Sequence, residues 1–347
     1  MGASAGGVEA LSTLVRALPA SLPAVIFVVV HFPSHGTSVL PDILRRAGRL
    51  PAEHARDGET VQAGRIYVAP PGWHLLVTKD TIRLVGGPRE HGFRPAIDTL
   101  FLSAAQAYGP RTAGVILSGT LSDGVAGLQA VKRAGGVTIV QDPEEAIYPG
   151  MPRSAIEQVN VDHILSLAQI AQTLEHLSQQ PMIEERNGSL ANENEVEAEW
   201  LENDIQTYIQ DKNLGGRTVM TCPECGGLIW ELQEGELTRC RCHAGHAYST
   251  DSLLAEQAET LEGALWTAVR ALEERASLLG RLSTQAAQRD SRLTASRFQK
   301  QAGEAERQAD VIRQVLLQGK AIGLENSHDV KMMEETGEPA STGLSED

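Results

Sequence analysis

The first 180 residues alternate between short apolar runs and segments with helical spacing. Residues 8–18 carry apolar side chains three and four positions apart and end before Pro19, which predicts a helix. Residues 24–30 and 113–117 are Val- and Ile-containing runs typical of buried strands. Strands separated by helices in this way predict an α/β fold with a doubly wound, mostly parallel sheet.

Weaker periodic signals complete this first region. We expect helices at 37–46, 95–107, 125–134, 152–158 and 167–177, and strands at 65–68, 75–84, 137–140 and 163–165. Pro95 suits the first turn of its helix, because an amide hydrogen is not needed there. The pair Gly135-Gly136 predicts the end of the preceding helix.

The pattern changes after residue 180, and we expect four further segments behind the domain at 1–180. Residues 181–215 are rich in Glu, which predicts a solvated, partly helical linker. Residues 216–250 contain all four cysteines. Leucines near heptad spacing in 251–322 predict one or two long helices, which pair either as an intramolecular hairpin or as a coiled coil with a partner or second copy. The polar tail at 323–347 is expected to be disordered.

Composition narrows the functional classes. The chain has 347 residues, which suggests two domains or one domain with appendages, and its 41% hydrophobic residues are enough for a sizeable core. Its net charge of −15 argues against nucleic acid or an anionic membrane as a partner. The apolar run at 24–30 is far too short to span a bilayer. Because the sequence goes straight into a serine motif, we expect no signal peptide and a cytoplasmic protein.

The chain opens on a candidate nucleophile. Gly2-Ala3-Ser4-Ala5-Gly6-Gly7 reads G-x-S-x-G, the pattern of a sharp turn that presents a serine. A helix follows directly, and its N-terminal amides stabilise nearby negative charge. A plain glycine turn and a dinucleotide loop are the alternatives. The G-x-G-x-x-G spacing and the phosphate-loop ending are both absent from the motif.

Two further side chains fit a serine hydrolase. His31 follows the strand at 24–30, and Asp123 lies in the turn after the strand at 113–117. The carboxyl ends of parallel strands meet at one edge of a sheet, so Ser4, His31 and Asp123 are expected to converge as nucleophile, base and acid. Taken singly, the histidine also fits a buried core position and the aspartate an Asp-Gly turn. The order Ser…His…Asp disfavours the α/β-hydrolase fold, in which the acid precedes the histidine.

The cysteines indicate a metal site. Cys222 and Cys225 form a C-x2-C pair, and Cys242 and His246 follow as C-x3-H. This ligand set is typical of structural zinc in a reducing compartment, so the region is predicted to be zinc-ribbon-like. Cys240 and His243 are then surplus. An all-cysteine set that includes Cys240, or four thiols without metal, are the alternatives.

Six segments resemble, in order, the catalytic domain of the chemotaxis protein-glutamate methylesterases (CheB). They are GASAGGVEAL, VVVHFP, DGETVQAGRIYVAPPGWHL, GFRPAIDTLF, GVILSGTLSDGVAGL and YPGMPRSAI, over residues 1–178. The resemblance implies a Ser-His-Asp hydrolase that needs no catalytic cofactor. Its substrates would be glutamyl methyl esters on the cytoplasmic helices of chemoreceptors, with glutamine deamidation as a further activity. Some similar proteins also carry a CPxCGG…CxxGH tail and a long helix.

The same resemblance assigns the site residues by motif. Ser4, His31 and Asp123 match the triad, while Ala5 and Thr120 lie where the family lines the oxyanion region. Backbone amides near Ser4 and in the Gly119-Thr120 turn are expected to bind the oxyanion. Arg94, in the R-P-x-x-D segment, is a candidate for substrate contact.

The sequence also departs from the family pattern. We expect no receiver domain before the catalytic region, and therefore no control by aspartyl phosphorylation within this chain. Gly119-Thr120-Leu121 replaces the usual Gly-Met-Gly. Only Met1-Gly2-Ala3 precede Ser4 where the family has an apolar strand, so either the start is assigned too late or the sheet lacks a central strand. We expect a chain extended upstream to be more stable. A signalling scaffold without catalysis and a hydrolase of small esters are the alternative functions.

Overall fold

The structure, a computed structural model, describes residues 1–31, 38–180, 217–234 and 237–317. The linker expected at 181–215 and the tail expected at 323–347 therefore lie outside the described residues. Residues Met1–Leu253 form one compact unit and Leu254–Asp347 a second. Within the described part of the chain, no helix combines the length and the apolar character that a membrane crossing needs.

The first unit is built on a seven-stranded sheet whose neighbouring strands are all parallel. In sheet order the strands are β3 (Ala52–His54), β4 (Ile66–Val68), β2 (Ile26–Val30), β1 (Gly2–Ala3), β7 (Ala113–Ile116), β8 (Val137–Gln141) and β9 (His163–Leu165). The chain winds from β1 to one side and later returns to β7 on the other. The carboxyl end of β1 is therefore a topological switch point, where α/β sheets place their ligands.

Helices cover both faces of this sheet. They are α1 (Gly7–Ala17), α2 (Leu40–Ala47), α3 (Ile97–Tyr108), α4 (Val125–Arg133), α5 (Gly150–Gln158) and α6 (Leu167–Gln179). Leu11 of α1 lies in the core on one face, and Leu100 of α3 lies in the core on the other. Along β2, Val28 and Val30 face the first core and Val29 the second, because successive strand side chains alternate. The predicted doubly wound α/β fold is confirmed.

The first strand is short, yet it occupies the centre of the sheet. Gly2 pairs with Val29 of β2 and with Ile116 of β7. The nitrogen of Met1 extends the ladder by donating to the carbonyl of Phe27 at 2.7 Å. A central strand is thus present, and the expectation that the sheet might lack one is wrong.

Three local predictions also differ from the structure. Helix α3 begins at Ile97 with Ala96 as its N-cap, so Pro95 lies before the helix and not in its first turn. The segment at 75–84 is an antiparallel hairpin of β5 (His74–Val77) and β6 (Ile82–Val85). Strand β3 was not predicted, because a three-residue edge strand gives little periodic signal.

A second, antiparallel sheet contains Cys240 and Cys242, and the turn between its first two strands contains Cys222 and Cys225. Its strands are β10 (Arg217–Thr221), β11 (Leu228–Glu234), β12 (Leu237–Cys242) and β13 (Ala247–Ser249). We call residues 217–249 the cysteine module. Its core is small and contains Ile229 and Tyr248 beside three of the cysteines. The module belongs to the same compact unit as the parallel sheet.

Two long helices follow, α7 (Thr250–Gln288) and α8 (Arg292–Leu317). Ser283 of α7 donates to the carbonyl of Ala295 early in α8, at 2.9 Å. Arg313, late in α8, forms an ion pair with Glu273 of α7. These contacts join the two helices as an antiparallel hairpin within the chain.

Candidate active site

Ser4 lies in a tight turn between β1 and α1. Its amide donates to the carbonyl of Ser118 at 3.0 Å, and its own carbonyl accepts from Gly7 at 2.9 Å. Gly6 has a φ of 70°, and a Cβ built there would lie 2.7 Å from Ser118 Oγ. A Cβ on Gly7 would lie 2.5 Å from that of Ala3. Gly6 of the G-x-S-x-G motif and the following Gly7 are therefore required by the turn that presents the serine.

His31 comes directly after β2 and lies between the two other candidate residues. Its Nδ1 is 3.2 Å from Ser4 Oγ, and its Nε2 is 2.7 Å from Asp123 Oδ2. An ionised carboxylate only accepts, so the neutral ring holds its proton on Nε2 and leaves Nδ1 to accept from Ser4. The structure thus brings together the three residues that sequence reasoning selected. The side chains of His31 and Asp123 are 3% and 1% exposed.

Asp123 is held by the start of helix α3 as well as by His31. Its Oδ2 accepts from the amide of Ile97 at 2.7 Å, and its Oδ1 from the amide of Asp98 at 3.0 Å. Burial alone would raise the pKa of this carboxyl, but the hydrogen bond to His31 and the charges of His31 and His91 hold the pKa well below its ordinary value. The acid is therefore an ionised, oriented partner for the imidazole.

Sequence reasoning missed an aromatic contact at this site. Phe93 stacks on His31 with ring centroids 3.7 Å apart and planes inclined by 4°. Phe93 belongs to the loop before α3, which has no strand or helix pattern of its own. The stack restricts the ring of His31 to the plane in which it reaches both Ser4 and Asp123.

A second buried histidine lies behind the acid. His91 Nε2 is 2.9 Å from Asp98 Oδ2 and 4.0 Å from Asp123 Oδ1. Burial lowers the pKa of His91, but the Asp98 hydrogen bond and the charges of Asp123 and Asp98 outweigh it, so the pKa is raised. Asp98 also accepts from the amide of Gly127 at 2.7 Å. The oxygens of this His-Asp-Asp group are thus already engaged by protein donors.

The expected oxyanion region lies beside Ser4. Ala5 is half-buried and Thr120 exposed, and the amide of neither donates a hydrogen bond to another described residue. The amide of Gly119 instead donates to the carbonyl of Tyr148 at 2.9 Å, so it is occupied within the fold. The part of our expectation that used the Gly119 amide is therefore wrong.

The side chain of Arg94 is hydrogen-bonded to backbone carbonyls of its own loop. Its guanidinium donates to the carbonyls of Gly86 at 3.2 Å and Gly87 at 2.5 Å, within the loop that precedes α3. The described contacts fix this loop and do not direct the guanidinium to a substrate. A role in substrate contact stays a prediction.

The predicted metal ligands converge at the end of the cysteine module. The ligand atoms of Cys222, Cys225, Cys242 and His246 all lie within 4.8 Å of one another. Two similar turns present them: the amide of Gly226 donates to the carbonyl of Cys222 at 2.8 Å, and that of Gly245 to Cys242 at 2.9 Å. Both glycines have positive φ.

The spacing within this group suits a tetrahedral ion. Cys225 Sγ lies 3.6 Å from Cys242 Sγ, and His246 Nδ1 lies 3.6 Å from Cys222 Sγ and 3.4 Å from Cys242 Sγ. Zinc bonds of about 2.3 Å to sulfur and about 2.0 Å to nitrogen give edges of roughly 3.5–3.8 Å in a tetrahedron. Cys240 and His243 lie outside the group.

A carboxylate also orients the histidine of this group. His246 Nε2 lies 3.2 Å from Glu224 Oε2. Zinc-binding histidines usually donate their second ring nitrogen in this way, which leaves Nδ1 free to bind metal. The residues present therefore fit a zinc ion.

Comparison with known proteins places the first half of the chain. A family model described as CheB methylesterase matches residues 1–174. A putative protein-glutamate methylesterase/protein-glutamine glutaminase of Leptospira interrogans serogroup Icterohaemorrhagiae serovar copenhageni (strain Fiocruz L1-130) is 40% identical over 180 residues. That match covers 52% of this chain and 93% of the relative.

Other relatives are longer than the matched region. The protein-glutamate methylesterase/protein-glutamine glutaminase of Pyrococcus abyssi (strain GE5 / Orsay) is 38% identical over 50% of this chain and 48% of its own length. This chain thus spans about half the length of that relative.

A solved structure also matches this region. The crystal structure of the Thermotoga maritima CheB methylesterase catalytic domain is 36% identical in sequence, and the match has a TM-score of 0.49. It covers 51% of this chain and 95% of the Thermotoga chain.

Proposed function

The chain belongs to the CheB methylesterase family, and on this basis we propose that it hydrolyses glutamyl methyl esters on the cytoplasmic helices of chemoreceptors. The products are glutamate side chains and methanol, and the reaction serves chemotaxis signalling. The observation that carries the proposal is the continuous hydrogen-bonded series from Ser4 through His31 to Asp123. A hydroxyl, an imidazole and a buried carboxylate in this order activate a serine as a nucleophile.

The geometry assigns a role to each member of the series. His31 Nδ1 takes the proton of Ser4 Oγ as this oxygen attacks the ester carbonyl carbon. The bond from that carbon to the methoxy oxygen then breaks, and Nδ1 returns the proton to the leaving oxygen as methanol departs. Water, activated by the same nitrogen, hydrolyses the acyl-enzyme and yields glutamate and free Ser4. Asp123 stabilises the imidazolium that forms in both steps.

The amides of Ala5 and Thr120 are our proposed oxyanion donors. Ala5 follows Ser4 in the chain, and Thr120 follows Gly119, where a Cβ would lie 3.0 Å from Ser4 Cβ. Neither amide donates a hydrogen bond to another described residue. A preorganised donor of this kind typically contributes about 3 kcal/mol to transition-state stabilisation. Thr120 stands where the family has methionine, and a backbone donor is independent of that side chain.

Glutamine deamidation is a second candidate activity. The relatives from Leptospira and Pyrococcus carry both activities in their names. The same acyl-enzyme forms from a glutamine amide when ammonia leaves in place of methanol. The site needs no further residue for this reaction, because His31 protonates either leaving group.

We also propose that Cys222, Cys225, Cys242 and His246 hold a structural zinc ion. Four protein ligands fill a tetrahedral shell, so a bound ion would have no open position for substrate or water. Its contribution would be to fold the cysteine module, whose buried core is small. Catalysis at Ser4 requires no cofactor in this scheme.

Catalysis belongs to residues 1–180, and an acidic linker at 181–215 leads to the zinc-ribbon-like module at 216–250. The helical segment at 251–322 docks a signalling partner or a second copy, and 323–347 is a tail. The abundance of thiols in one metal site suits the cytosol.

Methanol release from a methylated chemoreceptor tests the proposal. We expect wild-type protein to release methanol, Ser4→Ala to release none, and the control Ser12→Ala, on helix α1, to behave as wild type. Turnover of a simple aryl ester without turnover of the receptor would identify a small-ester hydrolase. Turnover of neither would identify a scaffold without catalysis, and methanol release by Ser4→Ala would exclude Ser4 as nucleophile.

A further inference from the structure

The cysteine module lies directly against the loop that leads to the candidate active site. Glu90 and Ala247 of β13 form a parallel bridge, in which the backbone amide of His91 donates to the Ala247 carbonyl at 2.7 Å. The amide of Ala247 donates in turn to the carbonyl of Arg89 at 3.3 Å. Gly245 approaches so closely that a Cβ there would lie 2.8 Å from Pro88. The module and the loop are therefore in close contact through backbone hydrogen bonds and through the packing of Gly245 on the Pro88 ring.

Buried charge reinforces the contact. Glu90 is 3% exposed and its two carboxylate oxygens each lie 3.4 Å from a guanidinium, one of Arg239 and one of Arg241. Both arginines come from β12 of the module. A buried carboxylate between two arginines requires the module to be in place, because removal of the arginines would leave its charge uncompensated.

Ser249, the last residue of the module, and Ser252, in the first turn of α7, then reach the surroundings of Asp123. The amide of Ser249 donates to Ser252 Oγ at 2.9 Å, which ties Ser252 to the module. Ser252 Oγ lies 2.8 Å from His91 Nδ1, and the other nitrogen of His91 contacts Asp98. The amide of Asp98 donates to Asp123. Ser249 Oγ lies 2.6 Å from the hydroxyl of Ser122, the residue that precedes Asp123. Asp123 is thus supported on two sides by groups that the module holds.

We infer that the cysteine module is a positioning element for the catalytic acid, acting through Ser252 on His91 and through Ser249 on Ser122. The inference rests on the proposed function, because it treats Asp123 as the acid of the triad. His91, Ser249 and Ser252 are positioning residues and touch no substrate. Since the fold of the module depends on its proposed zinc ligands, the activity of the esterase depends on the metal without chemistry at the metal.

The raised pKa of His91 agrees with this arrangement. His91 faces two buried carboxylates, Asp98 and Asp123, whose charges contribute to the raised pKa, and its two ring nitrogens contact Asp98 and Ser252. Without Ser252, His91 Nδ1 keeps only the longer 3.3 Å contact with the amide of Ser249, so the ring is less firmly oriented. The start of α3, which binds Asp123, loses a fixed neighbour.

The first experiment compares the full chain with zinc bound and after removal of zinc by a chelator. Amide hydrogen exchange is followed at Ile97 and Asp98, whose hydrogens Asp123 accepts, and at Val115 and Val140 as references in the central sheet. We expect exchange at Ile97 and Asp98 to accelerate about tenfold or more while the references stay protected. Unchanged exchange at Ile97 and Asp98 would overturn the inference, and so would equal loss at the references, which would mean general unfolding.

The second experiment uses the zinc-loaded variants Ser252→Ala and His91→Asn, because Asn tolerates the left-handed backbone. We expect kcat for the methyl ester to fall about tenfold or more with KM and zinc content unchanged. The control His163→Asn, at an exposed edge strand, should match wild type. Wild-type kcat in both variants would overturn the inference. An inactive wild type would instead contradict the proposed function, and the exchange experiment would still test the positioning role.

Discussion

The ring of Phe93 lies parallel to the imidazole of His31, 3.7 Å away between centroids. This contact fixes the plane of the proposed base, whose two nitrogens contact Ser4 and Asp123 on opposite sides. A ring that reaches two partners at once loses both when it turns. The stack is therefore part of the catalytic geometry and also packs the loop before α3.

Replacement of the aromatic ring should lower the rate of the chemical step. We expect Phe93→Ala to reduce kcat about tenfold or more, because small misplacements of a catalytic group are costly, with KM nearly unchanged. Phe93→Tyr keeps the ring and should retain most of the activity. Steady-state kinetics on the methyl ester measure both values. A Phe93→Ala enzyme with wild-type kcat would show that the stack does not orient His31.

Substitution of the acid should abolish most catalysis. Asp123→Asn keeps the shape but places an amide where the proton on His31 Nε2 needs an acceptor. We expect kcat to fall by about 10³ to 10⁴, as removal of a triad carboxylate does in other serine hydrolases. A loss of less than tenfold in single-turnover assays would remove Asp123 from the triad.

The turn that presents Ser4 should not accept a side chain at Gly6. Gly6→Ala places a Cβ 2.7 Å from Ser118 Oγ and 3.0 Å from Ile147 Cβ, at a φ of 70°. We expect the free energy of unfolding to fall by about 1–3 kcal/mol, with reduced activity. Gly58→Ala is the matched control, because Gly58 has a φ of 73° but open space around its Cβ position. Equal losses in the two variants would mean that backbone strain alone is responsible.

The buried carboxylate of Glu90, which pairs with two arginines of the cysteine module, should make the stability of the protein depend on pH. Burial raises the pKa of Glu90, but the charges of Arg239 and Arg241 outweigh it, so the pKa lies below the ordinary value of 4.5. The ionised Glu90 therefore stabilises the fold fully at pH values above 4.5. This stabilisation is lost as the pH falls through the lower pKa that Glu90 has in the folded protein. We expect Glu90→Gln to be about 3–5 kcal/mol less stable at pH 7. The difference should narrow in denaturant titrations at decreasing acid pH, and a constant difference would contradict the ion-pair account.

Metal content should follow the four proposed ligands and no other cysteine. We expect elemental analysis to find one zinc per wild-type chain, much less in Cys225→Ser, and one in Cys240→Ser. Cys225 is exposed, so its substitution leaves packing nearly intact while removing a ligand. Zinc lost from both Cys225→Ser and Cys240→Ser would favour the all-cysteine alternative, and zinc retained by Cys225→Ser would remove Cys225 from the ligand set.

The convergence of Ser4, His31 and Asp123 could be predicted because each follows a strand of one parallel sheet. Strands β1, β2 and β7 are neighbours, so their carboxyl ends lie side by side. The glycine turn and the C-x2-C…C-x3-H spacing are likewise local patterns. Patterns of this kind can be recognised in a single sequence, because each is formed by residues close together in the chain.

The contacts that surround the proposed triad could not be predicted in this way. Phe93 and His91 come from an irregular loop. Phe93 stacks on His31, 62 residues before it, and His91 contacts Ser252, 161 residues after it. No periodicity encodes such pairings, which depend on how the loop before α3 packs. The contact of Glu90 with Arg239 likewise joins residues 149 apart.

Covalent labelling tests the central claim most directly. The zinc-loaded chain is treated with a fluorophosphonate that modifies activated serines, and the modified peptide is identified by mass spectrometry. The account predicts one adduct, on Ser4, absent from Ser4→Ala and strongly reduced in His31→Gln. An adduct on another serine, or full labelling of Ser4 in His31→Gln, would contradict the activation of Ser4 by His31.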